Sequence, residues 1–500
     1  MIRDINRFSN KEYDLLVIGG GINGAAVANI AAGAGMSVAL VEKGDFASGT
    51  SSKSTKLVHG GIRYLENFEF DLVAEALHER FVQMQSVPYL VKPLPFVIPV
   101  YRGDRRPLWM MKLGVFLYDL LSGRYKIGRH QTLTKEQLLQ MVPGIKQEHL
   151  SGGVLYYDAQ MDDARLCLEN ILCADQKGAH VVNYTEVVSF IKESGRAAGI
   201  QARDVLSGNV FAIKAKKIVS TVGPWTNALL ALDDTKSRPL VRATKGIHLV
   251  YRGPIADRAL LLTAENERRI FFVIPWKGNS LIGTTDTDFK DSPDRVEADE
   301  ADVEYLFKEA RRFFPGLDFR REKIIATFAG LRPLIAQKGN PSQVSRKHVI
   351  HETRSGIIFV IGGKYTTYRK IAQDCLSYVL KGKARFSGDE YPLFGSGKIE
   401  EPVEMIAAQF RVSKEAVEYL RGIYGTKYRD VLFFIKVNPQ CRKPLCSCSP
   451  AIEAQVFYAI KNEMAVTPDD VIWRRLSLGH NDCASHQCRQ RIQQIFAEFR

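Results

Sequence analysis

Gly19, Gly21 and Gly24 form a G-x-G-x-x-G pattern inside "DLLVIGGGINGAAVANIAAGAGMSVALVEK", residues 14–43. The order reads as strand, glycine turn, helix and strand, with Asp14 to Ile18 the first strand, Val38 to Val41 the second and Glu42 at its end. A pyrophosphate must approach backbone N–H groups and the positive end of a helix, where a Cβ would obstruct it; Gly24 instead lets helix and strand pack closely. An acid at the position of Glu42 can accept hydrogen bonds from both hydroxyls of an adenosine ribose and disfavours a 2′-phosphate. The chemistry is dinucleotide binding, with FAD and NAD both open at this point.

The residues beyond Glu42 bear on that choice. "GTSSKSTKLVHGG", residues 49–61, offers Thr50, Ser51, Ser54, Lys56 and His59 as polar groups and Leu57, Gly60 and Gly61 as wall and bare backbone. These suit a second stretch of cofactor and favour FAD, since an NAD domain would usually continue with a plain βαβ unit. By itself, a hydroxyl-rich run suits a solvated loop equally well. The next residues, "IRYLENFEF", set a permanently charged Arg63 and the ring of Tyr64 directly after the two glycines.

The elements that must position these groups recur along the chain. Residues 68–85 read as a helix with Leu72, Ala76 and Leu77 on one side and Glu75 and Glu79 on another, and "LPFVIPV" (94–100) reads as a strand. "AKKIVSTVGPWTNALL" (215–230) is again strand, turn and helix, bringing Gly223 and Trp225 to the place where a dinucleotide fold touches its cofactor. Residues 239–288 turn β-rich, 296–313 read as an acidic helix, and "SGIIFVIGGKYTTYRKIAQDCLSYVL" (355–380) repeats strand, glycine turn and helix. That late turn, with Gly362, Gly363, Lys364 and Thr366, suggests re-entry into the cofactor domain. Beyond about residue 390 helical periodicity dominates.

Five hundred residues with 45% hydrophobic and 25% charged content describe a globular chain of roughly two to four units. A formal charge of +14 and a pI near 9.3 bias the surface toward phosphate-bearing partners. Nucleic acid is disfavoured, because there is no zinc-finger spacing, RNP-like strand or groove-reading basic helix. Eight cysteines with no paired framework, and an N-terminus without an apolar leader, suit a reducing intracellular setting. "CRKPLCSC" (441–448), with Cys483, Cys488, His480 and His486, lacks a structural-zinc spacing, and no metal is expected. Residues 101–130 carry seven Lys/Arg against two Asp around an apolar segment with Trp109, Phe116 and Tyr118. Such a segment can rest in an anionic membrane surface, or can be a core helix with charged ends. No apolar run reaches the roughly 18 residues of a membrane span.

The motifs "LLVIGGGINGAAVA", "TSSKSTKLVHGGIRYLENFEF", "MDDARL", "GPW", "KGIHLV", "FVIPW", "IGTTD", "GLRPL", "IGGKYTTYRK" and "IWRR" together resemble the FAD-dependent glycerol-3-phosphate dehydrogenases. The resemblance is specific up to residue 380 and thinner beyond it. It implies an α/β fold: a glutathione-reductase-like, Rossmann-type FAD domain (1–90, 150–235 and 350–385), an inserted antiparallel-β substrate and membrane-contact domain (91–149 and 236–349) and a C-terminal helical cap (390–500). It implies oxidation of sn-glycerol 3-phosphate to dihydroxyacetone phosphate with FAD as cofactor and a membrane quinone as electron acceptor.

Carried onto this sequence, the resemblance places Arg63, Tyr64, Arg346 and Lys364 around the substrate phosphate, His248 and Arg332 at the reacting hydroxyl, and Val187 among the residues lining the cofactor. The residue types agree with the chemistry: Arg forks match phosphate oxygens, His is suited to accept a hydroxyl proton, and Arg can stabilise a developing alkoxide. The resemblance also tips residues 101–130 toward anionic lipid and the protein toward peripheral attachment on the cytoplasmic face of the membrane. A homodimer is among the assemblies left open. By the same resemblance the chain lacks the insertion of the oxygen-using relatives, which favours a quinone-linked dehydrogenase. The competing readings are an FAD oxidase of the amine or amino-acid type and a flavin-bound regulatory protein without turnover.

Overall fold

The computed structural model describes residues 1–500 apart from 10, 266–268, 338–346, 384–387, 389, 482–486 and 500. A six-stranded sheet holds the first half of the site. Its order is His348–Glu352, Ile357–Gly362, Ile218–Ser220, Leu15–Ile18, Val38–Val41 and His180–Val182, all parallel except the first. The four residues of Leu15–Ile18 are all buried, as a parallel strand covered on both faces requires. Helix Ile22–Gly33 is built largely from alanine, and Ala25, Ala26, Ala28 and Ala31 are fully buried. These small side chains let it lie between helices Asp163–Gln176 and Tyr368–Val379. A four-stranded sheet of Glu12–Tyr13, Val210–Ala215, Arg196–Asp204 and Thr185–Glu193 adjoins this layer.

The larger, mostly antiparallel sheet forms the opposite wall. Strand Val241–Tyr251 pairs on one side with Ile324–Ile335 and on the other with Asn279–Gly283. Strand Leu150–Met161 pairs with Val91–Tyr101, and Leu57–Val58 joins it at the edge. Residues 57–58 and 150–161 thus join this larger sheet, whereas the resemblance implied that they lie with the FAD unit. Periodicity identifies a strand but not the sheet it joins.

Two expectations are corrected. The helix expected at 68–85 runs Phe70–Ser86, but Glu79 is buried and paired with Arg369 at 2.7 Å. It ties this helix to Tyr368–Val379 and does not sit on a solvent face. The cysteines do pair in part: Cys446 and Cys488 form a disulfide joining the hairpin Pro444–Cys446/Ser449–Ile452 to the last helix, Gln487–Phe499. The C-terminal unit is five helices of eight residues or more plus this hairpin among the described residues, the helical cap that was expected. Cys483, His486 and Arg346 lie outside the described residues. Among the described residues no group of His, Cys, Asp and Glu is arranged to hold a metal, and no helix is long and apolar enough to cross a membrane.

Two buried ionic clusters fasten the C-terminal unit to the cofactor layer. Arg165 binds Glu169 at 2.7 Å and Glu463 at 2.5 Å, all three side chains being buried. Asp45, three residues beyond Glu42, pairs with both Arg474 and Arg475 of the "IWRR" segment. Burial opposes ionisation of Asp45, but the Arg475 and Arg474 guanidiniums outweigh it and hold the carboxyl below the usual range.

Candidate active site

One cavity of about 1010 Å³ runs between the two sheets, large enough for a ligand at the upper end of small-molecule sites. Its first end is the glycine turn. A Cβ on Gly24 would lie 1.9 Å from the Gly19 carbonyl oxygen, so helix Ile22–Gly33 can meet the turn only through a glycine. Gly19 itself has φ +106°, a conformation open to glycine. Gly19 and Gly21 line the cavity; Gly24 packs behind them. The helix start therefore faces the cavity with its positive end, and Ser51 Oγ accepts a hydrogen bond from the Ile22 N–H at 2.9 Å. Glu42 accepts from the N–H of Gly20 at 2.7 Å and of Gly44 at 2.8 Å. Burial raises its pKa while these two donors oppose the rise.

The hydroxyl run folds along the same wall, but its members do different work. Thr50 Oγ1 donates to the Leu331 carbonyl at 2.7 Å, fastening the loop to the opposite sheet. Ser54 Oγ donates to Asp163 at 2.7 Å. Lys56 is buried behind the lining, its Nζ 2.5 Å from Asp163 and 2.6 Å from the Ser52 carbonyl. Thr50, Ser51, Ser54, Leu57, His59, Gly61, Val187, Gly223, Trp225, Gly362, Gly363 and Thr366 line the cavity, while Lys56 and Gly60 do not. The Gly60 N–H instead points to Tyr118 Oη at 2.9 Å and Asp158 at 3.2 Å, and Asp158 is paired with buried Arg80 at 2.7 Å. The residues lining the first half, with bare backbone at the turn, an acid at the second strand's end and a hydroxyl loop beside it, fit the elongated pyrophosphate-linked outline of FAD.

The second end carries cations and a buried histidine. Gly61 is left-handed, and a Cβ there would lie 2.2 Å from the Tyr64 ring, so the turn lets Tyr64 fold back over it. Lys364 Nζ stands 3.9 Å from the centroid of that ring and Arg63 Cζ 5.8 Å from it. Arg63, Tyr64 and Lys364 all line the cavity, although they arise some 300 residues apart in the chain. Burial lowers the pKa of neighbouring His59 to about 4; Asp158 opposes this and Lys364 and Arg63 reinforce it.

His248 and Arg332 come together because strands Val241–Tyr251 and Ile324–Ile335 run side by side, with Thr244 opposite Arg332 and His248 opposite Phe328. His248 is 2% exposed. Its ring stacks on Phe328 at 4.8 Å and rests against Gly283, where a Cβ would fall 2.2 Å from its Cδ2. Burial pushes its pKa well below 6.5, and the charges of Arg332 and Lys56 push the same way. Arg332 donates to Thr284 Oγ1 at 2.9 Å and to the Thr285 carbonyl at 3.1 Å, and lies 3.1 Å from Asp286.

Several cavity residues were not singled out from the sequence: Lys53, Thr55, Asp158, Thr284 and Asp286. The "IGTTD" motif was a signal for the last two. His480, considered only as a metal ligand, packs behind the wall that carries His248, with its ring 5.3 Å from Phe328 and its Nδ1 accepting from Trp276 Nε1 at 3.3 Å.

Residues 14–369 match the family model of FAD dependent oxidoreductases, and 387–499 match the C-terminal domain of alpha-glycerophosphate oxidase. A glycerol-3-phosphate dehydrogenase of Synechocystis is 36% identical, covering 95% of this chain and 91% of that protein. The aerobic glycerol-3-phosphate dehydrogenase of Staphylococcus aureus is also 36% identical, over 93% of this chain and 87% of its own. The crystal structure of the Bacillus halodurans glycerol-3-phosphate dehydrogenase complexed with FAD superposes with a TM-score of 0.82 at 29% identity, covering 99% of this chain and 92% of that one. The chain belongs to the FAD-dependent oxidoreductases, and within them to the glycerol-3-phosphate dehydrogenase family.

A histidine kept neutral by the fold makes the unfolded chain the better proton binder between the ordinary pKa and the folded one. For His59 that window runs from 6.5 down to about 4, and His248 and His480 are shifted the same way. Stability should therefore hold above about pH 6.5 and fall as the pH drops through this window, by at most about 1.4 kcal/mol per pH unit for each histidine. Urea midpoints against pH will check this: His59→Asn should flatten the slope, and an unchanged slope would refute the assignment.

Proposed function

We propose that the chain oxidises sn-glycerol 3-phosphate to dihydroxyacetone phosphate and passes the electrons to a membrane quinone. The observation that carries the reading is the grouping, in one cavity, of a dinucleotide cradle, a two-cation cluster on Tyr64, and His248 beside Arg332. When bound, FAD supplies the two-electron acceptor. Gly19, Gly21 and Glu42 hold its adenosine and pyrophosphate end, with Thr50, Ser51, Ser54, Leu57, His59, Gly61, Val187, Gly223, Trp225, Gly362, Gly363 and Thr366 along it. Gly24, Lys56 and Gly60 support that lining from behind.

Arg63 and Lys364, with Tyr64, bind the substrate phosphate. A dianion leaving water needs paired cations, and each charge-assisted bond contributes about 1.5 to 3 kcal/mol. That anchor places the C2 hydroxyl toward His248 and Arg332. Arg332 is held by Asp286, Thr284 and the Thr285 carbonyl, so its guanidinium is fixed where alkoxide charge develops. His248 is neutral and so able to accept the hydroxyl proton; enclosure between Phe328 and Gly283 keeps bulk water from competing. An oxidase of amino acids would need a site for a carboxylate monoanion, and the paired cations match a phosphate dianion better.

Helix Leu108–Ser122 supports peripheral attachment to a membrane, for which we take the cytoplasmic face. It exposes Trp109, Leu113, Phe116 and Leu120, each at half or more of its surface, while Val115 and Tyr118 are buried on the other side. Arg105 ahead of the helix and Lys112 within it are exposed as well. Apolar side chains with cations beside them suit an anionic lipid surface, and the buried face of the helix shares a hydrophobic cluster with Ile62 and Tyr64 at the cavity.

Two measurements bear on this. Anaerobic addition of glycerol 3-phosphate should bleach the flavin absorbance of the purified holoenzyme, while glycerol and alanine should not; a flavin left oxidised would sink the function. Arg105→Glu with Lys112→Glu should cut sedimentation with phosphatidylglycerol vesicles at least about fivefold, on the expectation of about 1 kcal/mol for each basic residue near the surface. Equal sedimentation of variant and parent would reject the membrane face.

A further inference from the structure

Resting on the function just proposed, we infer that Thr55 is a catalytic residue, a proton relay between the substrate C2 hydroxyl and His248. Thr55 lines the cavity, and its Oγ1 lies 3.0 Å from His248 Nε2. The other ring nitrogen is closed off: Nδ1 is buried and has no hydrogen-bond partner among the described residues. One face of the ring is covered by Phe328 at 4.8 Å, and Gly283 presses against its Cδ2. Proton traffic at His248 therefore runs through Nε2, and the polar group already in contact with Nε2 is the Thr55 hydroxyl.

A hydroxyl carries one proton to donate and two lone pairs that accept. Thr55 can thus donate to Nε2 while accepting from a substrate hydroxyl in the cavity. In the relay the substrate O–H bond breaks as a new O–H forms on Thr55 Oγ1, and Thr55's own O–H breaks as N–H forms on His248 Nε2. The C2 hydrogen leaves with its bonding pair to the cofactor, and the freed oxygen pair completes the C=O. Thr55 ends with one proton, as it began, and His248 holds the proton the substrate lost. Lys56, the residue that follows, is anchored on Asp163 and the Ser52 carbonyl, which fixes the backbone from which Thr55 projects. Arg332, on the strand that also carries Phe328, is set for the oxygen's transient charge and need not take the proton.

The test is single-turnover reduction of the holoenzyme by glycerol 3-phosphate in H2O/D2O mixtures. Two protons in flight give the parent a rate that bows downward against deuterium fraction; one proton gives a straight line. Thr55→Val, which removes the hydroxyl and keeps the shape, should slow reduction by about 100-fold or more with half-saturating substrate within about threefold. Thr55→Ser should restore most of the rate and the curvature. A straight line in the parent overturns the relay, and so does a Thr55→Val rate within about threefold of it. Should Thr55→Val lose its flavin, the parent's curve decides. A parent that glycerol 3-phosphate does not reduce at all overturns the function itself, an outcome distinct from a reducible parent with a straight line.

Discussion

A cavity that admits two phosphate-bearing molecules has to be positive before they arrive, and that field constrains every other ionisable group inside it. Here the field comes from the start of helix Ile22–Gly33, from Arg63 and Lys364, and from Arg332. Three acids nearby are matched to cations: Asp158 to Arg80, Asp163 to Lys56, Asp286 to Arg332. The histidines respond in the opposite way. His59 and His248 are held neutral by burial, and the surrounding cations reinforce it. A neutral imidazole is the form a proton acceptor needs, and a phosphate dianion bound nearby would shift it toward greater basicity. Phosphate binding and proton transfer are thus linked through one electrostatic environment.

The C-terminal unit takes part in holding that environment together. Arg474 and Arg475 grip Asp45 in the loop that follows Glu42, and His480 fills the space behind Phe328 and Trp276. One segment, 474–480, therefore touches both the cofactor loop and the back of the wall that carries His248. Removing one member of a buried ion pair typically costs about 3 to 5 kcal/mol, so these contacts commit the last quarter of the chain to a fixed place against the cavity. The cation pairs that do this sit in a short run whose local sequence has no strand or glycine turn to advertise it.

The first half of the site was legible because its physics is local. G-x-G-x-x-G, the small residues of the helix and Glu42 lie within thirty residues and leave one arrangement open, and the FAD-dependent family with a β-rich second wall and C-terminal helices was visible from ordered motifs. What was not legible depends on non-local register. Thr55 reads as one more hydroxyl in a polar run, and only the pairing of Val241–Tyr251 with its neighbours brings His248 to it. Glu79 reads as one of two acids on the side of its helix away from Leu72, Ala76 and Leu77, until Arg369 arrives from 290 residues away. Lys56 reads as a cofactor ligand until Asp163 claims it. The Cys446–Cys488 bridge spans a separation of 42 residues, and spacing alone carries no information about such pairings.

The central claim is that a phosphate anchor and a separate proton-accepting centre share the cavity. Rapid-mixing reduction of the Arg63→Ala holoenzyme by glycerol 3-phosphate separates the two. Half-saturation should rise about 10- to 150-fold, the loss of one charge-assisted bond, while the limiting rate of flavin reduction stays within about threefold of the parent. A limiting rate that collapses with half-saturation unchanged would contradict the account.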